Sequence, residues 1–167
     1  MSSTIPPSVI PPSGNPFPGD MSWTYSHIIT IPTGGQIHQG GFYSIPVVGF
    51  DTVMYCSVDH PPPDDFDGPL TANYPQTYWA PNNDSEHLSL KESMLTAGKA
   101  AARIIYLHAK QGRKVLSTCA VGKNRSGLAV GIALRMMMGG REAVELIKTQ
   151  RPGALSNELF CKLVEEY

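Results

Sequence analysis

The chain is 167 residues long and 41% hydrophobic, and its 13 Lys+Arg against 14 Asp+Glu leave a formal net charge of −1. That length suits one domain with a real core. The charge balance excludes a protein that coats nucleic acid or an anionic membrane, because either task needs a net basic surface. No stretch approaches the roughly 18–20 uninterrupted apolar residues of a membrane span. Three cysteines at wide spacing, Cys56, Cys119 and Cys161, suit neither a disulfide framework nor a zinc cluster. The first residues lack a charged segment followed by an apolar one, so a reduced, cytoplasmic, monomeric protein is the expectation.

Six of the 15 prolines fall within the first 18 residues, among Ser and Gly. Such a segment buries too little apolar surface to offset its ordering entropy, so residues 1–22 read as a flexible Pro-rich tail and 23–167 as a single domain. The β-branched run His27–Ile31 predicts a strand, Pro32–Gly35 a turn, and Gln36–Gln39 a second strand pairing back. Thr52–Val58 has the near-continuous apolar character of a buried central strand. Residues 59–76, with Pro61-Pro62-Pro63 and four acids, read as a loop, and Thr77–Trp79 as a short strand.

From Ser89 the period changes. Ser89 and Glu92 fit a capping box, and Leu90, Met94, Ala97, Ala101, Ile104 and Ile105 form one apolar helical face up to about Gln111. Gly112 ends that helix, Lys114–Thr118 reads as a strand, Ser126–Met138 as an apolar helix, and Arg141–Gln150 and Asn157–Glu166 as two closing helices. Strands interleaved with helices predict an α/β fold with a central, mostly parallel sheet flanked by helices.

The segment Cys119-Ala120-Val121-Gly122-Lys123-Asn124-Arg125-Ser126-Gly127 lies between the strand 114–118 and the helix that follows it. A loop entering a helix N-terminus gathers backbone N–H groups into a concavity where the helix dipole adds positive potential, which suits a tetrahedral dianion. The same field favours a thiolate at Cys119. Gly122 lets the backbone curl, Arg125 offers a planar bidentate clamp for two phosphate oxygens, and Ser126 can donate a hydrogen bond to the sulfur.

This loop resembles the C-x5-R loop of the cysteine-based protein tyrosine phosphatase superfamily, and C-x-x-G-x-x-R-S is similar to its dual-specificity branch. Gln36–Gly41, Gly49–Val53 and Arg151-Pro152 with Asn157 and Phe160 extend the resemblance over roughly residues 27–167. It implies a dual-specificity-phosphatase-like fold and a catalytic domain that turns over phosphorylated proteins with neither cofactor nor metal. Cys119 would be the nucleophile, Arg125 the phosphate clamp, Ser126 the assistant to sulfur's departure, and the backbone of Ala120, Val121, Gly122, Lys123 and Asn124 the phosphate cradle.

The family also needs a general acid on a separate loop. Asp84, in a short loop just before the long helix, is the first candidate, with Asp65 and Asp67 next and Asp59 and Asp64 also in range. Thr118 stands where most of the family has His, so activity below the family norm is expected. Lys123 and Asn124 keep a phosphoinositide or RNA 5′-phosphatase open as alternatives. A phosphate-binding pseudophosphatase without turnover is the rival from a different class.

Overall fold

The computed structural model describes residues 21–44, 49–62 and 75–166. Five strands, β1 (Tyr25–Thr30), β2 (Gln36–Gly41), β3 (Thr52–Ser57), β4 (Gln76–Asn82) and β5 (Lys114–Cys119), form one sheet in the order β1-β2-β5-β3-β4. β1 pairs antiparallel with β2 through the turn at residues 32–35, and every other pairing is parallel. Four α-helices lie among the described residues: α1 (Lys91–Lys110), α2 (Arg125–Leu134), α3 (Gly140–Gln150) and α4 (Glu158–Glu166). This is the mostly parallel sheet flanked by helices that the alternation of patterns predicts.

The central strands are buried on both faces, which is why β3 reads as continuous rather than alternating. Met54, Cys56 and Val115 point into the main core with Met94, Ala101, Ile105, Leu128 and Ile132 from the helices. Their sequence neighbours Val53, Tyr55 and Leu116 turn to the other face and pack with Phe50 and Phe42. β4 is longer than predicted, running from Gln76 to Asn82. The loop expected at residues 59–76 lies mostly outside the described residues, and so does the tail as far as residue 20. Met21–Trp23 form a single 3-10 turn with Ser22 buried.

Two helix boundaries differ from the sequence reading. The proposed capping box does not form. A 3-10 turn over Leu88–Leu90 absorbs Ser89, the N-cap falls on Leu90, and no side chain caps it. Helix α2 stops at Leu134 instead of Met138, where tighter turns return Met136 N–H to Ala133 and Met137 N–H to Leu134. Arg135 there donates to the carbonyls of Val164 and Glu165, which are among the unpaired acceptors at the end of α4.

His38, on β2, is buried edge-on to Tyr25 and Phe50, with Nε2 2.9 Å from Gln36 Oε1. Burial, reinforced by the nearby charges of Lys114 and His27, pushes its imidazole from the ordinary 6.5 down to about 4. The unfolded chain therefore takes up a proton between pH 6.5 and about 4 that the folded chain refuses, so acidification favours unfolding. At pH 5 the loss relative to pH 7 should be on the order of 1–2 kcal/mol. Urea unfolding of the wild type and His38→Phe at both pH values checks this; an equally steep pH dependence in the variant would refute the assignment.

Candidate active site

Cys119 is the last residue of β5, and the chain leaves the sheet there to reach the start of α2 at Arg125. Because β5 is central, between parallel β2 and β3, the connecting loop opens at the carboxyl ends of the strands, where open α/β sheets bind ligands. Cys119 is buried, and its Sγ lies 3.2 Å from Ser126 Oγ on the first turn of α2. No side chain caps α2: Asn124 occupies the cap position at φ −102°, ψ −62° without a cap bond. The first N–H groups of the helix are thus left by the protein's own side chains for another acceptor.

The shape of the loop follows from where its carbonyls go. Ala120 O accepts from Phe42 N–H at 3.1 Å, and Val121 O accepts from Arg151 Nη2 at 3.0 Å. Gly122 O accepts from Arg151 Nε at 2.7 Å and from Gln39 Nε2 at 2.9 Å. Lys123 O accepts from Leu155 N–H at 3.0 Å. A trans peptide is planar with its N–H opposite its C=O. Four carbonyls held outward therefore turn the N–H groups of Val121, Gly122, Lys123 and Asn124 inward, as an anion nest requires. Gly122 sits at φ +70°, and a Cβ there would lie 2.3 Å from the carbonyl carbon of Gly40, so both conformation and space demand glycine.

Arg125 is largely buried. Its Nη1 lies 3.8 Å from the exposed carboxylate of Asp59, a contact of little energetic weight. Its Nε is buried with no hydrogen-bond partner among the described residues. Such an orphaned donor beside an uncapped helix start and an inward-facing nest is matched by an oxyanion.

Asp84 reaches the loop from the segment after β4. Its carboxylate accepts from Asn124 Nδ2 at 2.9 Å and from Asn157 Nδ2 at 2.8 Å. Of the other acids singled out in the sequence, Asp59 faces Arg125, whereas Asp64, Asp65 and Asp67 lie outside the described residues. Cys56, one residue beyond the Tyr55–Thr118 pair of β3 and β5, is a core residue whose thiol burial pushes up to about 12. Thr118 is buried with its hydroxyl 3.4 Å from the carbonyl of Cys119. No group of three His, Cys, Asp or Glu among the described residues could hold a metal ion. None of the helices they form is long and apolar enough to cross a membrane.

The sequence reading gave no role to two residues that shape the loop. Arg151 is fully buried yet faces no carboxylate among the described residues; its guanidinium is spent on Val121 O, Gly122 O, Met21 O, Thr24 Oγ1 and Ser26 Oγ. Burial pulls its pKa from 12.5 down to about 10, and negative charge on Cys119 acts the other way, favouring the guanidinium cation. An arginine at a helix end reads as a solvated partner of the helix dipole, so only its place beside Pro152 in the matched stretch singled it out. Gln39 left a clearer trace: a fully buried amide on an otherwise packed strand needs a partner, and the loop carbonyls supply it.

The sequence matches no family model and no curated protein. The structure is similar to that of the human tyrosine phosphatase-like serine/threonine/tyrosine-interacting protein, at 15% identity and a TM-score of 0.63, over 86% of this chain and 94% of that one. It is similar also to DUSP15, at 20% identity and a TM-score of 0.59, over 84% and 85% of the two chains. A mouse putative dual specificity phosphatase matches at 19% identity and a TM-score of 0.57, over 86% and 85%. The sheet order and the helices packed on it thus make up a dual-specificity-phosphatase-like fold, shared with these structures.

Proposed function

We propose that the chain hydrolyses phosphomonoesters on proteins, phosphotyrosine together with phosphoserine and phosphothreonine, through a phosphocysteine intermediate. The observation that carries this reading is the loop itself: four carbonyls tied outward behind Cys119, with the unpartnered Nε of Arg125 beside it. In the first step the Cys119 thiolate attacks phosphorus, the bond to the leaving oxygen breaks, and Asp84 protonates that oxygen. Arg125 and the loop N–H groups hold the three remaining oxygens, where charge accumulates. In the second step water attacks phosphorus and gives its proton to Asp84. The phosphorus–sulfur bond breaks, and the departing thiolate receives the hydroxyl hydrogen bond of Ser126.

Protein phosphoesters are favoured over RNA 5′-phosphates because the Asn124 amide is engaged at both ends, with Asp84 and with Ser156 and Asn157. Lys123 is then the one charged loop side chain besides Arg125, too little for a polyphosphorylated headgroup.

The test is hydrolysis of p-nitrophenyl phosphate between pH 5 and 8 in the presence of a chelator, with and without vanadate. Turnover that vanadate abolishes is expected. Tight vanadate binding without turnover would instead make the chain a phosphate-binding module, the reading that Thr118 favours.

A further inference from the structure

The two oxygens of Asp84 are held by different elements. Asn124, inside the loop, donates to Oδ2 at 2.9 Å, and Asn157, at the start of α4, donates to Oδ1 at 2.8 Å. The two asparagines are themselves locked together. Asn157 N–H donates to Asn124 Oδ1 at 2.9 Å, and Ser156 Oγ lies 3.3 Å from the same oxygen. Asn157 also fixes the segment that carries the acid, because its Nδ2 reaches Ser85 O at 3.0 Å, while its own Oδ1 accepts from Phe160 N–H at 3.2 Å. Three segments far apart in sequence, 84–85, 124 and 156–157, thus meet in one hydrogen-bonded cluster at the wall of the cleft beside the loop.

We infer that Asn124 and Asn157 are positioning residues that clamp the Asp84 carboxylate to the nucleophile loop and so fix the distance and angle between proton donor and leaving group. The inference rests on the reading of Asp84 as general acid. A carboxylate on a short surface loop has a rotatable χ1 and χ2, and neither oxygen need face the cleft; two donors from rigid elements remove that freedom. Asn124 is part of the cradle itself, so the clamp ties the acid to the same frame as Cys119 and Arg125 instead of to an independently moving loop. The consequence is specific. Loss of the clamp damages protonation of the leaving oxygen and spares oxyanion binding.

The experiment compares kcat/KM for a series of aryl phosphates, from p-nitrophenyl to phenyl phosphate, in the wild type, Asn157→Ser, Asp84→Ala and the double variant. Serine keeps an N-cap acceptor for Phe160 N–H and removes only the amide donor. A general acid is worth about 10²–10⁴-fold, and its misplacement by an ångström about 10²-fold, so Asn157→Ser should lose about 10–100-fold on phenyl phosphate. It should lose much less on p-nitrophenyl phosphate, whose leaving group needs little protonation. Inhibition by inorganic phosphate should stay within about twofold of wild type, and Asn157→Ser should add nothing in the Asp84→Ala background. A purely structural role would weaken phosphate binding or cost the same in both backgrounds, and either result overturns the clamp. If Asp84→Ala steepens the leaving-group dependence and Asn157→Ser leaves it as in the wild type, the clamp alone fails. If Asp84→Ala does not steepen it, the general acid lies elsewhere and the reading of Asp84 fails with the clamp. Should Asn157→Ser not fold, Asn157→Thr, which also keeps an N-cap acceptor and removes the amide donor, carries the same comparison, with the same outcomes deciding.

Discussion

Cys119→Ser is expected to abolish p-nitrophenyl phosphate turnover, by about 10⁴-fold or more, while leaving inorganic phosphate binding within about tenfold of wild type. The reasoning separates two functions of one loop. In the proposed mechanism the sulfur supplies the nucleophile, and a neutral hydroxyl at the same position is a far weaker one at neutral pH. Oxyanion binding is there assigned to the N–H groups turned inward by the bonds on Ala120, Val121, Gly122 and Lys123, and to Arg125, none of which the substitution touches. Serine is close in size to cysteine, and the contact with Ser126 Oγ at 3.2 Å becomes an ordinary hydroxyl pair. Isothermal titration with phosphate alongside a rate assay reads both quantities. Full turnover in the variant would remove Cys119 from the mechanism. Loss of phosphate binding together with turnover would mean that the substitution collapsed the loop.

Arg151→Ala is expected to damage both stability and rate, although the residue touches no reacting atom. Removing the guanidinium strands Val121 O and leaves Gly122 O only the Gln39 bond, while Met21 O keeps its bonds from Thr24. The unsatisfied carbonyl costs about 1–3 kcal/mol and the space left by a fully buried side chain about 2 kcal/mol more, so a loss of about 3–5 kcal/mol follows. At about 2–4 °C per kcal/mol for a domain of this size, Tm should fall by about 6–20 °C. The Val121 carbonyl, released from Arg151, can then rotate inward and turn the Gly122 N–H away from the phosphate, while the Gly122 carbonyl is held by Gln39 alone. That should lower kcat/KM by about 100-fold even at temperatures where the variant is folded. Lysine cannot restore this, because one ammonium cannot reach both loop carbonyls and Met21 O in the fork geometry that Arg151 uses. Thermal unfolding and kinetics at a temperature well below Tm decide the matter. A folded Arg151→Ala protein with wild-type kcat/KM would refute the claim that these carbonyls must be tied back.

Much of the fold could be read along the chain because it is governed by local periodicity. The buried run Thr52–Ser57, the stripe of Met94, Ala101 and Ile105 on α1, and the stop at Gly112, whose φ is +82°, are each consequences of a few neighbouring residues. The two helix ends that differed were set by other forces. Ser89 lost the cap to a 3-10 turn, and α2 stopped at Leu134, where Arg135 reaches across to the end of α4. Neither competitor has a signature within the segment concerned.

The candidate site divides in the same way. A candidate sulfur nucleophile, a glycine that accepts φ +70°, an arginine and a hydroxyl on the first turn of a helix lie within eight residues, so Cys119, Gly122, Arg125 and Ser126 are singled out by the sequence of one loop. What keeps that loop open is determined elsewhere. Gln39 comes from β2, Arg151 from the end of α3, Leu155 and Asn157 from the turn before α4, and Asp84 from the segment after β4. Peptide carbonyls must be satisfied by whatever donors packing brings to them, and a side chain's reach across the fold leaves no period or spacing in the sequence. The chemistry was therefore legible in order along the chain, whereas its geometry was decided only when distant segments came to share the hydrogen bonds of one loop.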